Sequence, residues 1–394
     1  MRPTPIPINI LTGFLGAGKT TLLNALVKQG KLAGAVVLMN ELGEIPLDHL
    51  LVEGIEGDMV LLASGCLCCS IRGELVYALE DLLRRRDNHR MRAFDRVLIE
   101  TTGLADPAPV LEALISHPYL SLRFLIDSVV TVVDAVNGEA TLDAHEEALR
   151  QVAVADRLIV TKADLADEGT VAALTRRLRR LNPVAPLTIG GGGEIAGGPL
   201  IDAGPAAGGK VPDITPWIDA GAVLGRADPA RRRLAGGPGE GGRNLAMVAG
   251  RDEHHARPHG EGPGTSPHDD RIGVYCLTSD RPLKAKSLDL FLRLVRSFKA
   301  SRMLRLKGIV ALEDHPHEPI ILHGAQRVVH EPLRLAKWPS EDRSTRVVLI
   351  AEDLAEEELR RIWAAVIGAP APDLPDLEAL CDNPLARRRG GLLA

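Results

Sequence analysis

Three of the five cysteines fall within four residues, Cys66-Leu67-Cys68-Cys69. They lie downstream of Gly13-Phe14-Leu15-Gly16-Ala17-Gly18-Lys19-Thr20, a complete phosphate-binding loop. Thiolates are ligands for soft or borderline metals, and a loop of this kind cradles the phosphates of a nucleoside triphosphate. The pairing suggests that nucleotide state and a transition metal are coupled in one domain.

The loop follows an apolar run, Ile8–Leu11, and precedes a helical pattern over Thr20–Gln29 that stops at Gly30. This is the strand–turn–helix context in which backbone N–H groups and the positive end of a helix converge on phosphate oxygens. Gly13, Gly16, Ala17, Gly18 and Thr21 are candidate nucleotide contacts. Lys19 is expected to reach the β- and γ-phosphates, and the Thr20 hydroxyl to ligate Mg²⁺. A second apolar run ends in Arg96-Val97-Leu98-Ile99-Glu100-Thr101-Thr102-Gly103. A carboxylate at a strand end with glycine three residues later suits the metal side and the γ-phosphate sensor of such a site. Glu100 stands where aspartate is commoner, and is a catalytic candidate with Lys19. Base choice falls to Thr161-Lys162-Ala163-Asp164 after the run Leu158–Val160. An aspartate there can accept the paired N–H donors of guanine, which adenine lacks, while the lysine stem packs on the ring. Asparagine is commoner at the first position than Thr161.

Cys66 and Cys68 are two apart, so an extended loop directs both sulfurs to one side. Cys69 joins them only if the loop turns. Two or three thiolates with a carboxylate, imidazole or water make a tetrahedral Zn²⁺ site, and Glu41, Glu44 and His49 are the candidate partners. An open fourth position would suit a transferable metal. The competing reading is three buried or redox-active cysteines with no metal.

The elements that must hold these residues alternate. Ile8–Leu11, Ala35–Met39, Arg96–Ile99, Val129–Val133, Leu158–Val160 and Leu187–Ile189 read as buried strands. Helical patterns lie between several of them, including Ile71–Arg86 behind Ser70. Such alternation predicts a parallel sheet covered on both faces over residues 1–190. Residues 191–270 differ: with position 190 they hold 20 of the 39 glycines and one aromatic, Trp217. They are expected to form a flexible connector. Four histidines in it, His254, His255, His259 and His268, suit either a loose metal store or a polar linker. Residues 271–370 read as a smaller α+β domain, with strands over 272–277, 303–312, 320–323 and 347–350 and helices over 288–298 and 354–367. Residues 371–394 form a proline-rich tail expected to be mobile.

The chain has 394 residues and a formal net charge of −5, with 47 basic and 52 acidic side chains, which gives no general pull toward nucleic acid. Arg84–Arg86 and Arg176–Arg180 sit toward helix ends, where cations complement the dipole. No apolar run approaches the ~20 residues that cross a bilayer, and Met1–Pro7 leads straight into a strand pattern. Clustered thiols beside a nucleotide loop fit a reducing cytoplasm.

Taken together, Gly13–Thr20, Asn40-Glu41-Leu42-Gly43-Glu44, Gly65–Cys69, Glu100–Pro107 and Thr161–Asp164 resemble the CobW-type metal-chaperone GTPases in order and spacing. Arg305-Leu306-Lys307-Gly308-Ile309-Val310 and Trp338-Pro339 resemble the C-terminal domain of that family. Leu42 and Ser64 depart from its pattern, where phenylalanine and asparagine are usual. The resemblance implies a P-loop NTPase fold and a slow, Mg²⁺-dependent GTPase. It further implies Zn²⁺ or Co²⁺ at the cysteine motif, passed to a client metalloprotein or metal-insertion enzyme, and a nucleotide-dependent homodimer is compatible. The alternative is a nucleotide-gated scaffold that activates a client, with structural or redox cysteines.

Overall fold

The computed structural model describes residues 5–40, 59–62, 71–190, 271–297, 303–325, 328–329 and 332–368. Residues of the expected connector and tail, and the segments 41–58 and 63–70, lie outside the described residues.

The first half is a seven-stranded sheet in the order β3-β2-β4-β1-β5-β6-β7. Its strands are β1 (Ile6–Gly13), β2 (Ala35–Asn40), β3 (Met59–Leu62), β4 (Arg96–Glu100), β5 (Phe124–Asp134), β6 (Arg157–Thr161) and β7 (Leu187–Ile189). Every pairing among them is parallel. The connections are α1 (Lys19–Lys28), α2 (Ile71–Asp87), α3 (Ala108–Ser116), α4 (Leu120–Arg123), α5 (Gly138–Ala144), α6 (Glu146–Val154) and α7 (Glu168–Leu181). The expected parallel α/β sheet is present, with one strand more than the hydrophobic runs suggested. β3 is only four residues long and lies at the sheet edge.

Central strands are apolar on both sides because helices cover both faces. One polar exception is Asn9, fully buried in β1. Its Nδ2 donates to Asp127 Oδ2 at 2.9 Å and Ser128 Oγ at 2.7 Å, and its Oδ1 accepts from Arg96 Nη1 at 2.8 Å. The register of β1 against β5 shifts at this point, between Ile8 and Asn9.

The second half is an antiparallel sheet ordered β11-β10-β9-β13-β8, with β12 paired to β10. Its strands are β8 (Ile272–Ser279), β9 (Met303–Val310), β10 (Ile320–Ala325), β11 (Val328–Val329), β12 (Leu333–Arg334) and β13 (Thr345–Glu352). Two helices, α8 (Ala285–Ser297) and α9 (Glu356–Val366), cover one face. Under them lie Tyr275, Leu306, Val310, Leu349, Phe291 and Trp363. Alternate residues of the same strands, Val274, Cys276, Ile309, Val348 and Ile350, join the core of the first half. Both faces are therefore buried, which explains why every residue of β9 and β13 is inaccessible. Burial pushes the Cys276 thiol up to about 11, which makes it a core side chain and not a nucleophile.

Two charges interrupt the face turned to the first half. Arg305 and Lys307 of β9 are 1% and 8% exposed, and both meet Asp156, itself 7% exposed, just before β6. Lys307 Nζ lies 2.7 Å from Asp156 Oδ1, and Arg305 Nη2 donates to the same oxygen. The second carboxylate oxygen accepts from the Val129 N–H at 2.9 Å. Burial alone would raise the Asp156 pKa, but attraction to Arg305 and Lys307 outweighs it and holds the carboxyl far below its usual range. At the rim, Arg271 bridges Glu146 of α6 (2.6 Å), Glu352 of β13 (2.8 Å) and Asp353 (3.0 Å).

Replacing Asp156 by asparagine leaves two buried cations without a counter-charge, and should cost about 3–5 kcal/mol in urea unfolding. The native state keeps Asp156 ionised at a pH where the unfolded chain protonates it. Its contribution is therefore complete above the ordinary carboxylate range and is lost as pH falls through and below about 4. An acid-side stability profile that is the same for wild type and Asp156→Asn would refute this assignment.

Candidate functional site

The carboxyl ends of β1, β4, β5 and β6 place the predicted residues around one crevice, the position at which open α/β sheets bind ligands. Leu11 of β1 pairs in register with Glu100 of β4, so the phosphate loop and the second motif leave the sheet side by side. They are tied by Thr101 N–H to Leu11 O at 2.9 Å and Thr101 Oγ1 to Thr12 Oγ1 at 2.8 Å.

Gly13 opens the loop at φ 139°, and a Cβ there would come within 2.2 Å of Val132 O. No side chain fits. Gly18 precedes α1, leaving the helix N-terminus bare toward the loop. Lys19 is buried, its Nζ donating to Gly13 O at 2.9 Å and Phe14 O at 3.1 Å. The ammonium thus sits inside the curl of the loop, where phosphate oxygens would replace the carbonyls as its partners. Thr20 Oγ1 lies 3.3 Å from Glu100 Oε1. A hydroxyl and a carboxylate converging in this way form a hard-oxygen pair, the donor type that Mg²⁺ takes. Gly103 packs against the loop tip so closely that a Cβ would lie 2.5 Å from Leu15 N.

Thr161 donates from Oγ1 to Ala17 O at 2.6 Å, so the residue that departs from the commoner asparagine fastens the base-recognition loop to the phosphate loop. Lys162 adopts φ 56° and pairs with Asp134 Oδ2 at 2.6 Å. Burial opposes ionisation of Asp134. Hydrogen bonds from Lys162, Asn137 and the Val136 N–H more than offset it and hold its pKa below the usual range. Asp164 lies exposed in the short turn Ala163–Leu165, its carboxylate open to a ligand.

Glu41, Glu44, His49, Cys66, Cys68 and Cys69 lie outside the described residues, as do the four histidines of 254–268. Among the described residues no group of three or more histidines, cysteines or acids is arranged to hold a metal. Chain connectivity nonetheless limits the motif. β2 pairs with β4 through Met39↔Glu100, and β3 with β2 through Asn40↔Leu62, all parallel. Asn40 and Leu62 therefore end at the Glu100 edge of the sheet. Cys66 follows Leu62 by four residues, a reach of at most roughly 14 Å.

Sequence reasoning missed Gln151, buried on α6, whose Nε2 donates to Gly103 O at 3.2 Å and Ala105 O at 3.0 Å. It also missed His145, stacked on Phe14 of the loop with ring centroids 4.3 Å apart. The available signal for Gln151 was one amide among Ala148, Leu149, Val152 and Ala153, a polar group on an apolar helix face.

Residues 7–188 match the model of the CobW/HypB/UreG nucleotide-binding domain, and residues 272–367 match that of the cobalamin synthesis protein cobW C-terminal domain. The chain is 30% identical over 362 residues to the zinc chaperone YjiA of Escherichia coli, covering 92% of this chain and 99% of that one. It is 34% identical over 190 residues to the zinc-regulated GTPase metalloprotein activator 1 of Schizosaccharomyces pombe, spanning 46% of this chain and 45% of that protein. The zinc-bound structure of the Escherichia coli YjiA GTPase superposes with a TM-score of 0.61 at 27% identity, covering 92% of this chain and 99% of that one.

Replacing Thr161 by valine keeps the shape and removes the bond to Ala17. A neutral hydrogen bond contributes about 0.5–1.5 kcal/mol, so guanine-nucleotide affinity should fall roughly 3- to 10-fold for di- and triphosphate alike. Fluorescent-nucleotide titration measures this, and an unchanged affinity would show that the tie does not shape the site.

Proposed function

Because the chain belongs to the CobW/HypB/UreG family of P-loop GTPases, we propose that it couples GTP binding and hydrolysis to the carriage of a transition metal. Zinc is the favoured cargo and cobalt the alternative, held by Cys66, Cys68 and Cys69 with carboxylates from Glu41 and Glu44, then released to a client metalloprotein.

The observation that carries this reading is the shared sheet edge. β2, which leads into the carboxylate segment, ends beside Glu100 near the phosphate loop, and β3, which leads into the thiol segment, ends beside β2 at the same end of the sheet. A metal site built there lies within reach of the groups that sense the γ-phosphate. The names of the YjiA and metalloprotein-activator relatives support zinc over other metals.

In this reading the guanine base is held by Asp164 and stacked along the Lys162 stem, which Asp134 keeps in place. Lys19 and the loop N–H groups bind the β- and γ-phosphates. Thr20 and Glu100 hold Mg²⁺, which supplies charge neutralisation across the phosphates when bound. The N–H of Gly103 meets the γ-phosphate, so the loop after β4 is ordered by GTP and released after hydrolysis. Release of that loop loosens the neighbouring metal ligands.

Coupling between two ligands is reciprocal. Titration of Zn²⁺ in the presence of a non-hydrolysable GTP analogue, GDP or no nucleotide should give different affinities, by about 5- to 150-fold, with metal changing GTP affinity by the same factor. Replacing Cys66, Cys68 and Cys69 together by serine should abolish tight Zn²⁺ binding while leaving GDP affinity intact. One Zn²⁺ affinity for all three nucleotide states would overturn the coupling. Survival of client activation in the serine variant would instead favour a nucleotide-gated scaffold.

A further inference from the structure

Helix α6 touches both the loop after β4 and the antiparallel sheet, through adjacent residues. Gln151 is 1% exposed and spends both amide hydrogens on the loop, at Gly103 O and Ala105 O. Its own backbone is held, since Thr131 Oγ1 of β5 donates to Gln151 O at 2.7 Å. The loop is thus gripped from two sides, by the phosphate-loop tip at Leu15 and by α6. Gly103 is the residue whose N–H would meet a γ-phosphate, so its carbonyl and its N–H report to two different bodies.

One position earlier, and about 100° around the helix, Arg150 reaches the antiparallel sheet. Its Nη2 lies 3.2 Å from Glu352 Oε1 of β13 and 3.2 Å from Glu146 Oε2 one turn back. Burial disfavours the charged guanidinium, yet attraction to Glu352, Asp106 and Glu146 outweighs this and holds its pKa above the ordinary value. Asp106 belongs to the same loop and caps α3 through the Ala108 N–H at 2.9 Å. Arg271 ties Glu146 and Glu352 together from the start of β8. Between the phosphate loop and α5–α6 lies a cavity of about 190 Å³, lined by Phe14, Thr131, Thr141, Gln151 and Val152 among others.

We propose that Gln151 is a positioning residue for the γ-phosphate-sensing loop, and that α6 carries the state of that loop to the antiparallel sheet through Arg150 and Glu352. The assignment rests on the GTPase reading given above. A γ-phosphate that draws the Gly103 N–H inward moves the Gly103 and Ala105 carbonyls with it. The Gln151 amide must follow or lose two bonds. Arg150, one residue away on the same rigid helix, then shifts against Glu352.

Gln151→Met and Gln151→Glu both keep the side-chain length but cannot donate to two carbonyl oxygens. The ratio of GTP-analogue to GDP affinity should fall about tenfold in each, with GDP affinity within about twofold of wild type. Arg150→Met should preserve that ratio. It should erase the difference in amide hydrogen exchange that β13 shows between the GDP-bound and analogue-bound protein. An equal loss for both nucleotides would make Gln151 a general folding residue and overturn the proposal, as would an unchanged ratio. Persistence of nucleotide-dependent exchange in Arg150→Met would overturn the relay. A wild-type protein that binds no guanine nucleotide would instead remove the GTPase reading beneath it.

Discussion

A buried carboxylate bridged to two cations joins the halves of this protein. Asp156 precedes β6 of the parallel sheet, while Arg305 and Lys307 project from β9 of the antiparallel one. None of the three charges can be left in an apolar interior alone, since an unpaired buried ion costs several kcal/mol. The apolar side chains that the two halves share in one core, among them Cys276, Ile309 and Val348 of one and Val152 and Leu178 of the other, pack without directional preference and would tolerate sliding. The ion cluster would not. It fixes which strand of the second sheet faces which loop of the first, and so sets the register in which Glu352 meets Arg150.

That register matters because the functional crevice lies at the other end of β6. Five residues separate Asp156 from Lys162, so at about 3.3 Å per residue the anchor and the crevice are roughly 15–20 Å apart. Helix α6, nine residues and about 13 Å long, covers most of that distance. α6 begins at Glu146, close to the stacked His145–Phe14 pair at the phosphate loop, and ends at Val154, two residues before Asp156. Its first residue follows the His145–Phe14 stack, while its last turn carries both Gln151 on the loop after β4 and the approach to Asp156. The same helix is therefore both strut and lever.

Local motifs were legible in the sequence because each depends on its own few residues. Gly13, Lys19 and Thr20 form their site wherever a strand runs into a helix, and Glu100 needs only a strand end beside them. The alternating apolar runs marked six of the seven described strands. β3 escaped because its four residues, Met59–Leu62, are no longer than many buried turns. The C-terminal run Arg305–Val310 was recognisable as a pattern, but its purpose was not. Its charges are explained only by Asp156, 149 positions earlier, and no periodicity relates the two. Gln151 was hidden for the same reason, since its partners are backbone carbonyls with no sequence signature at all.

The residues that depart from the commoner pattern show how much of such a site is chemistry and how little is residue identity. Thr161 supplies a hydroxyl where an amide is usual, and that hydroxyl reaches the Ala17 carbonyl at 2.6 Å. Glu100 supplies its carboxylate on a side chain one methylene longer than aspartate and still lies 3.3 Å from Thr20 Oγ1. β4 ends with Glu100 in register with Leu11, one residue before Thr12, and from there the longer side chain meets Thr20 in the first turn of α1. What the crevice assembles is a set of oxygen and N–H groups around the phosphate loop, supplied here by residue types other than the commoner ones. The register that places Leu11 opposite Glu100 is set by the packed sheet and not by the loop.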